Sequence, residues 1–204
     1  MIELEQDGGL WIVRLNRPDK ANSVTRAMLA EISALAGRAV DEGARALVLT
    51  GAGKVFSAGA DLDEARAGLA TDGVWEELSG RIAALPILTI AALNGTLAGG
   101  AMGMVLACDL RIAVGSAKFF YPVMKLGFLP QPSDPGRLAA LVGPARAKMI
   151  LMAGARIEAP EALAWGLIDR IVAPETLMDE ARALTADSLG ATPAHVAGIK
   201  ALVR

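Results

Sequence analysis

The chain has 204 residues, the size of one ordinary domain, and its formal net charge at pH 7 is −2. Its Lys and Arg residues form no basic stripe, so we expect neither a nucleic-acid partner nor a membrane partner. Cys108 is the single cysteine, which excludes an intrachain disulfide, and the first residues lack the pattern of a signal peptide. We therefore expect a cytoplasmic protein.

Strands and helices are predicted to alternate through the first two thirds of the chain. A β-forming run at residues 10–15 ends at a turn around Pro18, which predicts a strand and a hairpin from Met1. Helical spacing follows from Ser23 or Thr25 to Gly43. Further strands are predicted at residues 46–50, 87–93 and 110–114, and helices at residues 75–85 and 97–107. This alternation indicates an α/β fold.

Residues 82–108 carry no charged side chain, and their length alone would suit a membrane-spanning helix. Pro86, Asn94-Gly95 and the glycine pair at 99–100 interrupt this stretch. It is therefore predicted to form a strand, a turn and a buried helix.

The last third of the chain is predicted to be mostly helical. Helical spacing recurs at residues 138–142, 145–152, 159–165 and 174–189, with one short strand at residues 169–172. No linker, repeat or low-complexity tract divides the sequence. We predict a single domain over residues 1–204, with a core at residues 1–133 and a mostly helical part at residues 134–204.

Two glycine-rich segments follow predicted strands. Residues 48–62 (VLTGAGKVFSAGADL) leave a buried strand through a loop, and residues 94–103 (NGTLAGGAMG) place a glycine pair at the start of a helix. Such loops and helix starts present unpaired N–H groups, which could converge on a carbonyl oxygen and stabilise an enolate. Taken singly, each segment is typical of an ordinary turn, and neither has the spacing of a dinucleotide site.

Together with residues 15–22 (LNRPDKAN), 108–113 (CDLRIA) and 164–169 (AWGLID), these segments strongly resemble the crotonase superfamily of enoyl-CoA hydratases and isomerases. The resemblance implies an α/β fold with a crotonase-like ββα spiral core. It also implies an acyl-CoA substrate, with coenzyme A as part of that substrate, no permanently bound cofactor and no metal. A homotrimer or a dimer of trimers is expected. The chain ends sooner than members of the family usually do, so its helical C-terminal region is expected to be shorter than usual.

The resemblance assigns the oxyanion N–H groups to Ala60 and Gly100. It assigns coenzyme A contacts to the two loops that follow the first and second long strands, at Lys20, Ala21, Ala60, Asp61 and Leu62. Asp61 is also expected to cap the helix that follows it, and Lys20 could equally be a solvated turn residue.

The family's acid and base positions are occupied by residues that transfer no proton. Hydratases of the family carry two glutamates, where this chain has Gly103 and Val123, and some isomerases carry an aspartate where it has Gln131. Ordinary enoyl-CoA hydration is therefore not expected. Together with Tyr121, which could orient a substrate, these residues are predicted to line the acyl pocket.

Asp134 is the nearest acidic residue to these positions. Asp134-Pro135 before a helical run is typical of a helix N-cap followed by proline, so we expect a capping role. The alternative, a proton-transfer role for Asp134, remains open. Asp63 and Glu64 are expected to be solvated, and His195, near the C-terminus, is expected to be exposed or disordered, which disfavours a Ser–His–Asp hydrolase.

Three hypotheses follow from the sequence. The first is an acyl-CoA lyase or isomerase that stabilises a thioester enolate and uses fewer protein acids than hydration requires. The second is a CoA-thioester-binding protein that has lost its chemistry. The third, an α/β scaffold without a CoA site, would leave Ala60 and Gly100 without a role.

Overall fold

The computed structural model describes residues 1–203 and has two sheets, which confirms the predicted α/β class. Six strands form the large sheet: β1 (Ile2–Asp7), β2 (Leu10–Leu15), β3 (Ala46–Gly51), β5 (Leu88–Leu93), β7 (Leu110–Val114) and β10 (Arg170–Val172). Their spatial order is β1-β2-β3-β5-β7-β10, and all neighbours are parallel except the β1–β2 hairpin. Buried parallel strands explain the continuous apolar runs at residues 46–50 and 88–93.

The small sheet has the order β4-β6-β8-β9. Its strands are β4 (Val55–Ser57), β6 (Thr96–Ala98), β8 (Lys118–Phe120) and β9 (Ile157–Glu158). Each of β3, β5 and β7 is followed by one short strand of this sheet and then by helix, which confirms the ββα spiral. The predicted helix at residues 97–107 starts too early, because Leu97 and Ala98 pair with β8.

Helices pack against the large sheet and make up most of the last third of the chain. In the first two thirds they are α1 (Arg26–Asp41), α2 (Leu62–Arg66), α3 (Val74–Ala84), α4 (Met102–Leu106) and α5 (Val123–Leu126). The remaining helices are α6 (Asp134–Val142), α7 (Pro144–Leu151), α8 (Ala159–Trp165), α9 (Leu177–Gly190) and α10 (Pro193–Leu202). His195 lies in α10 and is exposed, which agrees with the prediction that this residue would be exposed or disordered.

One hydrophobic core extends from Leu10 to Ala181 and includes residues on both sides of position 133. The candidate site lies at the carboxyl ends of β3 and β5, because these parallel strands end at the same edge of the sheet. Among residues 1–203, no helix is long and apolar enough to span a membrane, since the uncharged stretch at 82–108 is divided between strands and a short helix.

Candidate functional site

The two glycine-rich loops touch through their backbones. Gly59 has φ +96°, a left-handed conformation, and a Cβ built on it would lie 3.0 Å from the Ala98 carbonyl oxygen and 3.4 Å from the Gly99 Cα. Only glycine fits there without strain or displacement. The loop after β4 therefore lies directly against the start of the helix that follows β6.

Two backbone N–H groups lie next to this contact. Ala60 follows Gly59, and Gly100 lies in the single 3-10 turn Gly99–Ala101 that leads into α4. Within residues 1–203, neither N–H group donates a backbone hydrogen bond outside the regular elements, and neither residue is fully buried. The first N–H groups of a helix have no intrahelical acceptor, so the pair is free to bind an oxygen from a ligand.

Asn22 holds the first loop in place, a role that the sequence analysis missed. It is fully buried, and its amide donates to the carbonyl oxygens of Ala52 and Val55 at 2.8 Å and 2.7 Å. The Asn22 carbonyl accepts from the Ser57 hydroxyl at 2.8 Å, and that hydroxyl accepts in turn from the Gly59 N–H at 3.2 Å. This chain of hydrogen bonds fixes the backbone just before Ala60.

Asp61 has two structural roles. Its carboxylate accepts from the N–H groups of Asp63 and Glu64, so the predicted cap of α2 is confirmed. The other oxygen accepts from Arg17 at 2.7 Å, and Arg17 also donates to the Ser23 carbonyl at 3.2 Å. The hydrogen bond from Arg17 lowers the pKa of Asp61 below its usual range. Asp61 thus joins the loop after β2 to the loop after β4.

The other residues assigned to coenzyme A lie around this junction. Ala21 has φ 51°, a left-handed conformation that is uncommon without glycine, and its carbonyl accepts from the Ala58 N–H at 3.0 Å. Lys20 is exposed beside it, and Leu62 is 73% exposed at the start of α2. Backbone and side chains on both loops are therefore accessible from solvent.

Trp75 packs against the second loop and was not predicted to belong to the site. A Cβ built on Gly100 would lie 3.3 Å from three atoms of its indole ring, whose N–H donates to the Leu69 carbonyl at 2.8 Å. Its aromatic type and its place in a helical pattern predicted only a core residue. The contact means that a side chain at position 100 would meet the Trp75 ring.

Asp134 does not cap its helix, so the favoured prediction for this residue was wrong. Ser133 is the N-cap of α6, and Asp134 is the first helical residue. Its carboxyl is 1% exposed and accepts from the Tyr121 hydroxyl at 3.0 Å, while Oδ1 has no hydrogen-bond partner within residues 1–203. A Cβ built on Gly103 would lie 2.8 Å from that Oδ1.

Burial raises the pKa of Asp134 from 3.8 to about 6. The hydrogen bond from Tyr121 and the charge of Arg137 oppose this rise, and the charge of Glu76 adds to it. Burial and the neighbouring Asp134 carboxylate also raise the pKa of Tyr121, which stays a hydrogen-bond donor. A carboxyl with a pKa near neutrality can both accept and return a proton.

Comparison with known proteins decides the family. The enoyl-CoA hydratase/isomerase family matches residues 5–204. The chain belongs to this family. It is 34% identical to a probable enoyl-CoA hydratase of Mycobacterium bovis over 96% of this chain and 79% of that protein. It is also 36% identical to a carnitinyl-CoA dehydratase of Salmonella arizonae, over 100% of this chain and 80% of that protein.

Solved structures of the enoyl-CoA hydratase/isomerase family share the fold. A protein of Geobacillus kaustophilus described as an enoyl-CoA hydratase subunit superposes with a TM-score of 0.89 at 36% identity, covering 99% of this chain and 80% of its own. An enoyl-CoA hydratase of Bacillus anthracis gives a TM-score of 0.90 at 33% identity, covering 98% of this chain and 80% of its own.

The three positions at which members of the family carry an acid fall in two different environments, the core and the wall of a cavity. Gly103 and Val123 are buried in the core, as is Tyr121. Gln131 is 8% exposed and lines a cavity of about 730 Å³ between the start of α3 and residues 127–132. Phe128, Leu129 and Glu76 also line this cavity. The cavity is therefore lined by both apolar and polar side chains, with Gln131 among them.

Proposed function

We propose that this family member binds an acyl-CoA thioester and stabilises its enolate through the N–H groups of Ala60 and Gly100. The observation that carries the proposal is the contact at Gly59 and Gly99 between the two loops that present these N–H groups. Neither N–H group donates one of the backbone hydrogen bonds found outside the regular elements of residues 1–203. Fixed donors aimed at a developing oxyanion are worth roughly 10²–10³ in rate each, because they need no reorganisation during the reaction.

Coenzyme A would lie across the junction of the first two loops. Lys20 would approach a phosphate group, and the backbone of Ala21, Asp61 and Leu62 would contact the nucleotide end. The accessibility of these residues and the ion pair between Arg17 and Asp61 support this arrangement, because the pair holds both loops in one geometry before ligand arrives.

The reaction is not ordinary hydration of a 2-enoyl thioester. Addition of water needs one group to activate the water and another to protonate carbon. Gly103 and Val123 offer neither, and Gln131 has a neutral amide. Isomerisation, decarboxylation or carbon–carbon cleavage places less demand on protein acids, so a lyase or isomerase that acts on an acyl-CoA fits the site. The alternative is a protein that binds the thioester without turnover.

Gly59→Ala tests the two-loop site, with Gly68→Ala as its matched control. Both glycines have similar left-handed φ values, +96° and +106°, so both variants place an alanine in a left-handed conformation. Only at Gly59 would the new Cβ meet the opposite loop, since a Cβ at Gly68 has no heavy atom within 4 Å. We expect Gly59→Ala to weaken CoA or butyryl-CoA binding at least about tenfold in calorimetry, roughly 1.4 kcal/mol, and Gly68→Ala to leave it unchanged.

Two further measurements separate the possible outcomes. Absence of any melting-temperature rise in the unchanged protein at millimolar CoA and butyryl-CoA would refute the binding site itself. Mass spectrometry of an acyl-CoA panel then distinguishes an enzyme from a binding protein, because both bind but only the enzyme changes the mass or the retention time of a thioester.

A further inference from the structure

We propose that Asp134 is the proton-transfer residue of this site, and that its carboxyl occupies the space of the side chain that Gly103 lacks. The inference rests on the thioester site proposed above and names the residue and the reaction class that go with it. It places an acid on α6, whereas the family positions considered above lie on α4, at the start of α5 and at residue 131.

The geometry of the helix after β6 points to this assignment. Gly100 and Gly103 lie three residues apart, so they share one face of the helical segment that also presents the oxyanion N–H. A Cβ at Gly103 would lie 2.8 Å from Asp134 Oδ1 and 3.2 Å from Oδ2. A side chain from position 103 would therefore project into the volume that the Asp134 carboxyl now fills, one helical turn from the oxyanion donor.

The bonding of Asp134 is not that of a structural carboxylate. Oδ2 accepts from Tyr121 at 3.0 Å, but Oδ1 is buried without a partner in the part of the chain that the structure describes. An unpaired buried polar atom is destabilising and is rare in folded proteins, except at sites where it serves a function. Oδ1 is the oxygen closer to Gly103, and we assign it the proton that is transferred.

The charged groups around Asp134 leave it free to titrate. Arg137, on the same helix, donates to the Ser79 hydroxyl at 2.9 Å and makes no hydrogen bond to Asp134. Glu76, on α3, accepts from the Ser133 N–H and hydroxyl. Tyr121 contributes a neutral donor. No cation is hydrogen-bonded to this carboxyl among residues 1–203, so burial dominates and its pKa rises to about 6.

A single acid restricts the chemistry to a proton shift. The Asp134 carboxylate removes a proton from the α-carbon of a 3-enoyl thioester, and the electron pair of that C–H bond passes to the thioester oxygen as a dienolate. The Ala60 and Gly100 N–H groups hold this oxygen. Asp134, now a carboxylic acid, gives its proton to the γ-carbon and yields the 2-enoyl thioester, with no atom gained or lost.

The carboxyl is closed to bulk solvent in this structure. Trp75 contacts the same helix face at Gly100, so α3 packs over the turn next to Asp134. An acyl group reaches Oδ1 when this packing opens to admit it. Exclusion of water suits a dienolate, because water competes for the proton and screens the oxyanion donors.

Two assays test Asp134 directly. In D₂O, butyryl-CoA should gain deuterium at its α-carbon each time the Asp134 carboxylic acid exchanges its proton with solvent before returning it. 3-Hexenoyl-CoA should gain the ultraviolet absorbance of the conjugated thioester. We expect Asp134→Asn to lower both rates by about 10²–10⁴-fold while butyryl-CoA binding is retained. The rate should increase with pH around a midpoint near 6, because the carboxylate is the base.

Tyr121→Phe distinguishes catalysis from packing. Loss of the phenolic donor removes an interaction that lowers the pKa of Asp134, so the midpoint of the rate profile should move to higher pH. A purely structural role of Asp134 would leave any residual activity with an unchanged profile.

A carboxyl swap tests the shared volume. Asp134→Ser alone should be inactive, whereas Gly103→Asp combined with Asp134→Ser should recover at least about tenfold, because the new carboxyl enters the same space from α4. Two outcomes would overturn the role of Asp134 while the proposed binding function stands. In the first, the unchanged protein binds butyryl-CoA and Asp134→Asn retains full deuterium exchange and isomerisation. In the second, the unchanged protein binds butyryl-CoA but shows neither exchange nor isomerisation. Absence of binding refutes the proposed function and this inference together.

Discussion

The raised pKa of Asp134 predicts a stability profile that needs no substrate. Between pH 3.8 and about 6 the folded chain holds a proton on Asp134 that the unfolded chain has released. The free energy of unfolding should therefore fall as pH rises through this range and level off above it. At 1.36 kcal/mol for each pH unit of difference, the loss approaches about 3 kcal/mol, and relaxation around the charge reduces it to about 1–3 kcal/mol.

The measurement compares the unchanged protein with Asp134→Asn in urea at four pH values from 4.5 to 7.5, followed by tryptophan fluorescence. The other titratable groups are the same in both proteins, so their contributions cancel when the two free energies of unfolding are subtracted. The test is therefore how this difference in free energy changes with pH. We expect Asp134→Asn to become more stable relative to the unchanged protein as pH rises, with equal m values.

Asp61→Asn is the matched control. The pKa of Asp61 is lowered, so its contribution to stability is complete above pH 3.8 and is lost only below it. Asn keeps the cap of α2, and the stability difference for this variant should be constant from pH 4.5 to 7.5. The stability difference between the unchanged protein and Asp134→Asn could instead stay constant within about 0.5 kcal/mol over the same pH range. That result would show that the Asp134 carboxyl is not desolvated in the folded protein, and the predicted rise of its pKa would be wrong.

Three other outcomes are expected. Arg17→Ala should lower the melting temperature and weaken CoA binding roughly tenfold in calorimetry, because its ion pair with Asp61 at 2.7 Å joins the loop after β2 to the loop after β4. Unchanged affinity would show that the two loops are held together without this ion pair. Gly100→Ala should cost about 1–3 kcal/mol in urea denaturation by overpacking against Trp75, and Trp75→Phe should recover part of that loss. Hydration of crotonyl-CoA should stay at least about a thousandfold below ~10 s⁻¹, and turnover near that value would show that the acids were misplaced.

The long elements could be predicted because their apolar pattern is local. The strands at residues 46–51 and 88–93 are mostly apolar runs. Of the two candidate starts of α1, Ser23 and Thr25, Thr25 is the N-cap, and its hydroxyl accepts from the Met28 N–H at 3.2 Å. The three-residue strands of the small sheet are too short for a periodic pattern to distinguish them from loop. Their place in the spiral was implied only by the family resemblance.

The candidate site, like the fold, could be predicted from the sequence only in part. Ala60 and Gly100 were named from their motifs, and the structure places their loops in contact. Asp134 was misassigned because Asp-Pro is a common capping signal, whereas α6 has Ser133 at its N-cap position and no side-chain capping hydrogen bond. The environment of Asp134 depends on the absence of a side chain at Gly103, which lies on a different helix. A single sequence does not show which residue fills the space next to a glycine.

The packing of Gly103 against Asp134 also constrains how this protein can change. A glutamate restored at position 103 would find its first carbon within 2.8 Å of a carboxyl oxygen, while loss of Asp134 alone would empty the space that both positions share. Each reversion is harmful until the other has occurred, so the two sites are epistatic and the order of substitutions matters. Position 103 therefore cannot be judged from its own residue alone, because the carboxyl nearest to it belongs to a different helix.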